Sequence, residues 1–499
     1  MKRLLVLSVL LATACGSTVQ VRGQASFGDG LTPAQQQSTT GSVTGGATDG
    51  ALAGTTSGAT GMGVGSSTTQ GAAGGNGSGA AATGAAGTNT GSGSVTSGAT
   101  VASRSPIKIG FITTTVGNAQ QYGINAGSTY SDKQMYDAII AEYNAEGGVA
   151  GHRIDPIYGS TDTADTNWSN QFAQVCAQFT QDQHVQAVIG YIFVFLPSFE
   201  SCLAKAHIPH LYGGYQPGDV VDQKTYPTLI GTGHPTANGS YLASLNGALN
   251  SGLITKSTKM GVIIDTCADG DRAWQQSAEP WLNSHNVNHQ VVVANCAQGS
   301  TDASSVASTV TNAELRFASS GVTLVYAPGI EMLIFMEQAQ SQGYQPQYLG
   351  GIGGAALEAN APASQMKTFH GFGWFPSVDV NTQHQPYPQT SAQKACIAKL
   401  AKHGLHPAAF NDYMAAYETC DGLDLYAKAF EAKGTTDANA IISGIEAALP
   451  TFTGRGTYNG AMQALSHQHG GPAKYRQYAW TDSCSCLTYR GPLYPMPNP

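Results

Sequence analysis

The sequence predicts an α/β fold of two Rossmann-like lobes, each a parallel sheet covered by helices. Apolar, β-branched runs alternate with helical patterns from Pro106 onwards, and strict alternation of strand and helix implies parallel sheets wrapped by helices. The alternation runs twice, with a crossing segment at Tyr226 to Gly233 between the two units. The body is about 395 residues long once the low-complexity N-terminal stretch is set aside, which is large for one core.

In the first unit Pro106 to Ile112 is an apolar run that reads as a buried strand. A polar loop, Thr113 to Gly123, leads into a helix from Ser131 to Tyr143, which stops at the glycine-rich segment Asn144 to Gly151. Strands over Arg153 to Tyr158 and Val185 to Ile192 follow, with helices over Thr166 to Gln181 and Pro197 to Ala206. The second unit opens with a helix from Thr236 to Leu253 and has strands at Lys259 to Asp265, Gln290 to Ala294, Thr323 to Ala327 and Tyr348 to Ile352. Its helices are Arg272 to Ser284, Ala303 to Ser319 and Ile330 to Gln342. Phe369 to Phe375 then reads as a strand returning towards the first lobe, followed by helices at Ser391 to His403, Asp412 to Lys433 and Ala438 to Ala448. The remainder is turn-rich, with one strand-like run from Lys474 to Trp480. The expected boundaries are 106–232 with 374–456 for lobe one, 234–372 with 457–490 for lobe two, and a tail at 491–499.

Ahead of the body lie an address and a tether. Lys2 and Arg3 precede an apolar run, Leu4 to Leu11, too short for a permanent membrane span. Ala12-Thr-Ala-Cys15-Gly16 follows. Small residues before a cysteine in this position resemble a bacterial lipoprotein processing site, with Cys15 as the lipid-modified residue after the 1–15 signal. The usual Leu three residues before the cysteine is here Ala12, and ordinary cleavage after Ala14 is the alternative. Both readings send the protein out of the cytoplasm. The segment 16–105 is almost wholly Gly, Ala, Ser and Thr from Ala25 on. It buries too little to offset its ordering entropy and reads as a disordered tether spanning roughly 45–50 Å on average. That suits a body held on the outer face of a cell membrane.

Only 11% of residues are charged, and the net charge of −8 argues against a nucleic-acid surface. Nine cysteines are present. With Cys15 set aside, eight allow 105 connectivities. Pairing neighbours along the chain gives Cys176 with Cys202, Cys267 with Cys296 and Cys396 with Cys420, each pair joining elements adjacent in the expected fold. Cys484 and Cys486 form a Cys-Ser-Cys run that either closes a small ring or stays free. No complete metal-ligand set accompanies it, and His467 and His469 read as a solvated surface pair.

Four features together carry a family resemblance. Ile107 to Gly110 is followed by a polar loop ending Ala119-Gln-Gln-Tyr-Gly123. Asn144, Gly147, Gly148, Val149 and Gly151 form a helix-to-strand turn whose glycines suit positive φ. Val188-Ile-Gly190 closes the third strand, and Ile208-Pro209 precedes the next. The body resembles the type I periplasmic binding proteins, nearest to the branched-chain amino-acid branch of ABC-transporter solute-binding proteins, over about residues 106 to 490. The resemblance implies a three-crossover hinge between the lobes, a solute held between them, an ABC permease as partner, no cofactor and a monomer. It also matches the Cys176–Cys202 pair to a disulfide of that family.

The candidate ligand-binding residues are Tyr122, Phe193, Phe195, Gly213, Gly214, Tyr215, Tyr326, Glu331, Ile352 and Trp374. They lie in or near loops beyond the carboxyl ends of strands, where ligands of open α/β sheets bind, or at crossovers. Five aromatics among them, Tyr122, Phe193, Phe195, Tyr215 and Trp374, predict a partly apolar pocket. The loops that hold an α-amino acid in the resembling proteins carry different residues here. Phe193-Val-Phe-Leu196 has no hydroxyl, Tyr215 stands at a Thr position, and Ile352 stands at the position of the acidic residue that holds the ammonium. The expected solute is therefore not an ordinary α-amino acid. A ligand-sensing module using the same cleft is the alternative. An enzyme is the lesser one, because the body has no Gly-x-Ser-x-Gly, His-Glu-x-x-His or Walker-type loop.

Overall fold

The chain divides into two units, Met1–Ser97 and Gly98–Pro499. The computed structural model describes residues 104–115, 128–162, 165, 167–191, 195–214, 218–267, 270–296, 300–381, 389–460, 462 and 470–499, all in the second unit. The signal, Cys15, the tether, Tyr122, Phe193, Tyr215, His467 and His469 lie outside these residues.

The first sheet contains β1 (Arg104–Thr115), β2 (His152–Asp162), β3 (Ala187–Tyr191), β4 (His210–Gly213) and β5 (Leu229–Gly231), in the order β2-β1-β3-β4-β5 and parallel throughout. Helices α1 (Asp132–Ala145), α2 (Trp168–Ala177), α3 (Pro197–Lys205) and α4 (Val220–Thr225) connect its strands. β1 is central and hydrophobic on both faces: Ile109, Phe111 and Ile112 are all fully buried, as a strand covered by helices on both sides requires. α1 starts with a capping box, in which Ser131 accepts the Gln134 N–H and Gln134 reaches back to the Ser131 backbone. It stops at Gly147 and Gly148, whose φ values are +111° and +68°. A Cβ on Gly148 would lie 2.0 Å from the His152 carbonyl oxygen, so that close return demands glycine.

The second sheet follows α5 (Ala237–Asn250). It comprises β6 (Lys259–Asp265), β7 (Asn288–Ala294), β8 (Leu324–Tyr326), β9 (Gln347–Gly350), β10 (Phe369–Gly373), β11 (Lys474–Thr481) and β12 (Cys486–Pro495), in the order β12-β11-β10-β9-β8-β6-β7. All pairs are parallel except β10 with β11 and β11 with β12. Its helices are α6 (Gly270–Ala273), α7 (Glu279–Ser284), α8 (Ser300–Ser320), α9 (Glu331–Gln342), α10 (Gly354–Asn360) and α11 (Ala363–Met366). After β10 come α12 (Pro376–Asp379), α13 (Ser391–Ala401), α14 (Phe410–Lys433) and α15 (Ala438–Ala448). α13 and α14 pack on α1, and α14 also covers β3 and β4. The chain thus passes between the two sheets three times: after β5, after β10 and after α15.

Some expectations need correcting. β12 runs to Pro495, so 491–495 belong to the sheet and not to a tail. Two expected helices carry a π-helical turn, Gln178–Asp182 after α2 and Trp274–Ala278 between α6 and α7. The cysteines form four disulfides: Cys176–Cys202, Cys267–Cys296, Cys396–Cys420 and Cys484–Cys486. The first three are the expected pairs, and the last closes the small ring.

Candidate binding cleft

Strand order reverses between β1 and β3 in the first sheet and between β6 and β8 in the second. Such switch points leave a crevice beyond the carboxyl ends of the strands. The two carboxyl edges face a common junction. Asp219 lies beyond β4 and Arg272 beyond β6, and the Arg272 Nε donates to Asp219 Oδ2 at 2.5 Å while its Nη2 donates to Oδ1 at 2.8 Å. The same guanidinium lies 2.9 Å from Asp222 Oδ2. Asp219 also caps α4 by accepting the Val221 and Asp222 N–H groups. Burial raises its pKa, but Arg272 and the cap donors together hold it below the ordinary value.

On the lobe-one side, Gly213 and Gly214 end β4 and are buried. A Cβ on Gly213 would stand 2.2 Å from Glu418 Oε2, so glycine here makes room for a carboxylate. Glu418, from α14, is 2% exposed. His234 Nε2 lies 2.9 Å from Glu418 Oε1. Trp374 Nε1 donates to His234 Nδ1 at 3.3 Å. An Nδ1 that accepts leaves the proton on Nε2, so His234 is assigned as the neutral tautomer donating to Glu418. Phe375 stacks on the imidazole at 5.4 Å and 16°. The first crossover (His234), the second (Trp374 and Phe375) and α14 thus meet in one buried joint. Burial pushes Glu418 up, and the His234 contact opposes that. Asp132, at the start of α1, is pushed up to about 6 by burial, against the donated Thr114 N–H and with Asp412 and Glu418 adding to the rise.

On the lobe-two side, Asp265 ends β6 and Glu331 opens α9, and their carboxyl groups lie together beside Gly329. Burial, and then the neighbouring Asp265 charge, push Glu331 up to about 8. Burial raises Asp265 to about 6 against the donated Cys267 N–H. Both carboxyls thus hold a proton more tightly than a free carboxyl does. Gly329 is required beside them, because a Cβ there would lie 2.5 Å from Glu331 Oε2.

The structure divides the expected ligand residues. Gly213 and Gly214 lie on the lobe-one edge, and Ile352, partly exposed, lies just beyond β9 on the lobe-two edge. Three aromatics and Glu331 are packed inside the body in this structure. Phe195 is 1% exposed, with Tyr212 and Tyr226 at 6.2 and 6.5 Å. Tyr326 is fully buried, stacked on Trp274 at 5.8 Å with Tyr241 edge-on at 6.2 Å. Trp374 is fully buried in the hinge joint and Glu331 is 2% exposed. The physical reason is ordinary core packing: large rings just past strand ends bury most surface by filling the space under the loops. Glu418, His234 and Arg272 were missed. Each is a lone charged or polar residue whose partners lie 184, 140 and 53 positions away; the Gly213-Gly214 pair was the one local sign that something bulky lies beneath. Among the described residues no group of three His, Cys, Asp or Glu could hold a metal ion.

A family model described as periplasmic binding protein matches residues 106–483. No curated protein matches the sequence. Among solved structures, the branched-chain amino-acid transporter substrate-binding protein LivJ of Streptococcus pneumoniae, in complex with isoleucine, is 17% identical with a TM-score of 0.53, covering 78% of this chain and 100% of its own. A solute-binding protein of an ABC transporter from R. palustris, in complex with 4-hydroxybenzoate, is 17% identical with a TM-score of 0.54, covering 79% and 98%. A fatty acid ABC transporter substrate-binding protein from Thermomonospora curvata is 15% identical with a TM-score of 0.55, covering 78% and 92%. Two mostly parallel sheets with facing carboxyl edges, three crossovers and a family match over most of the chain lead to one conclusion: the chain belongs to the periplasmic binding protein family, with the type I fold.

Proposed function

We propose that this protein is an extracytoplasmic solute-binding lipoprotein that captures a small organic molecule in the inter-lobe cleft and presents it to an ABC permease. The carrying observation is the junction itself: two switch-point edges face each other across a three-crossover hinge, and a ligand touching both stabilises the closed form. Catalysis is not part of this reading.

The solute is a less polar compound than an α-amino acid, such as an aromatic or aliphatic acid or amide. Ile352 supports this, since an aliphatic side chain at the lobe-two edge cannot pair with an ammonium. The sequence offers apolar side chains for such a solute at Phe193, Tyr215 and Tyr122, and backbone donors at Gly213 and Gly214. The fold's solved members include proteins described as binding 4-hydroxybenzoate and as a fatty acid transporter's binding protein, so the architecture accommodates such acids. Losing the charge-assisted bonds to an amino acid's two charged groups weakens binding by roughly a hundredfold or more.

Native mass spectrometry of the purified body identifies a co-purified solute. Titration calorimetry of the ligand-free body with leucine, isoleucine, valine and phenylalanine then tests the specificity: micromolar binding of any of them refutes it. Tyr215→Ala and Phe193→Ala are each expected to weaken the identified solute. For the anchor, Cys15→Ser is expected to move the protein from the membrane fraction to the soluble fraction. Unchanged membrane association sinks the lipoprotein assignment.

A further inference from the structure

The Cys484–Cys486 disulfide differs from the other three in every property that governs exchange. It joins residues only 2 apart in sequence, against 26, 29 and 24 for the others. A ring that small constrains the unfolded chain least, so its contribution to stability is the smallest of the four. Ser485, between the two cysteines, lies in the hairpin turn at φ +50°. The disulfide caps the exposed turn between β11 and β12, and Cys484 is itself exposed while Cys486 is fully buried. By contrast Cys396 and Cys420 are both fully buried. The family match ends at residue 483, so the ring lies just beyond the part of the chain that the family model describes. Cys486 pairs across the hairpin with Thr481, whose Oγ1 lies 3.3 Å from the Arg490 Nη2.

We propose that Cys484–Cys486 is a thiol–disulfide exchange site that accepts two electrons from an extracytoplasmic dithiol. The dithiol's thiolate attacks the exposed Cys484 sulfur and forms a mixed disulfide. The Cys484–Cys486 bond breaks, and Cys486 leaves as a thiolate that takes a proton from water. The dithiol's second thiolate then attacks its own sulfur in the mixed disulfide and releases Cys484 as a thiolate, which is protonated in turn. The dithiol ends as a disulfide and this chain as two thiols, so atoms and electrons balance. The site is independent of the solute cleft and stands whether or not the cleft takes the solute proposed above.

The test uses the folded full-length protein and dithiothreitol as the dithiol. Samples held under native conditions with limiting reagent are acid-quenched, alkylated and peptide-mapped. When half of Cys484–Cys486 is reduced, less than a tenth of each other disulfide is expected to be reduced. The partly exposed Cys267–Cys296 is the internal control for exposure alone, and its reduction to the same extent overturns the proposal. A second measurement locates the point of attack. In Cys486→Ser the remaining Cys484 is expected to react with oxidised glutathione at least tenfold faster than Cys486 does in Cys484→Ser. Equal rates overturn the assignment of Cys484 as the attacked sulfur.

Discussion

Two neighbouring carboxyl groups, the buried Glu331 and the half-buried Asp265, make the stability of the second lobe depend on pH. Burial is the main cause of both rises, from ordinary values of 3.8 and 4.5 to about 6 and about 8. Both folded values lie above the unfolded ones, so the folded state binds the extra proton. The stability they contribute is full below about pH 4 and is lost as pH rises through about 8. Glu331→Gln keeps the shape but cannot ionise. Scanning calorimetry at pH 5, 7 and 9 is expected to show the variant gaining on the native protein at each step upward; a constant difference in melting temperature would contradict the raised carboxyl pKa. Gly213 supplies a steric counterpart. Gly213→Ala places a methyl against Glu418 Oε2, and overpacking of this kind costs about 1–3 kcal/mol, read from the urea midpoint. Glu331 and Gly213 read as ligand residues in the sequence, but their carboxylate neighbours did not show there, because a carboxyl's burial depends on what the remote chain places over it.

At the scale of elements, the cross-links hold neighbours that the topology already brings together. Cys396–Cys420 ties α13 to α14 with both sulfurs fully buried. Its sequence separation of 24 corresponds to roughly 3 kcal/mol of loop-closure stabilisation. Replacing both cysteines by Ala is expected to lower the unfolding free energy by about that amount while the far-ultraviolet circular dichroism stays unchanged. An unaltered midpoint would show that the two helices are held by packing alone. The pairing was readable because helices adjacent in an alternating fold bring their cysteines within reach. The π-helical turns were not readable, since one extra residue per turn barely alters an apolar pattern. β12 was obscured by Gly491, Pro492 and Pro495, which argue against a strand. It is tolerated because β12 pairs on one side only, as the edge strand of its sheet.

At the scale of the molecule, the buried joint of His234, Trp374 and Glu418 binds two crossovers to α14, while Arg272 reaches across the junction to Asp219 and Asp222. The first is a pivot, because it lies where the chain passes between the sheets. The second is a latch, because its partners belong to opposite sides and must part when the lobes open. Asp219's side chain is fully buried and Arg272's is 35% exposed, so removing the cation leaves a shielded carboxylate without its countercharge. Arg272→Ala is expected to shift the ligand-free protein towards the open form by roughly tenfold, equivalent to about 1.4 kcal/mol. Spin labels on the two lobes and pulsed electron resonance would read this as a broader, longer distance distribution. An unchanged distribution would mean that the ion pair does not span moving bodies.

The sequence by itself determined the class of fold, the two alternating units, the crossings between them and three of the disulfide pairs. Each rests on local signals: period-2 and period-3.6 patterns, glycine stops such as Gly147 and Gly148, and cysteines on consecutive elements. Only the tertiary structure decided which side chains support the cleft. Phe195, Tyr326 and Trp374 carry the same composition signal whether they face a solute or the core, and their burial depends on rings more than a dozen positions away. Glu418 with His234, and Arg272 with Asp219, exist as pairs only after the folding chain has brought distant segments together. A one-dimensional pattern records the period of burial along an element, whereas the partner of a buried charge is set by packing between elements.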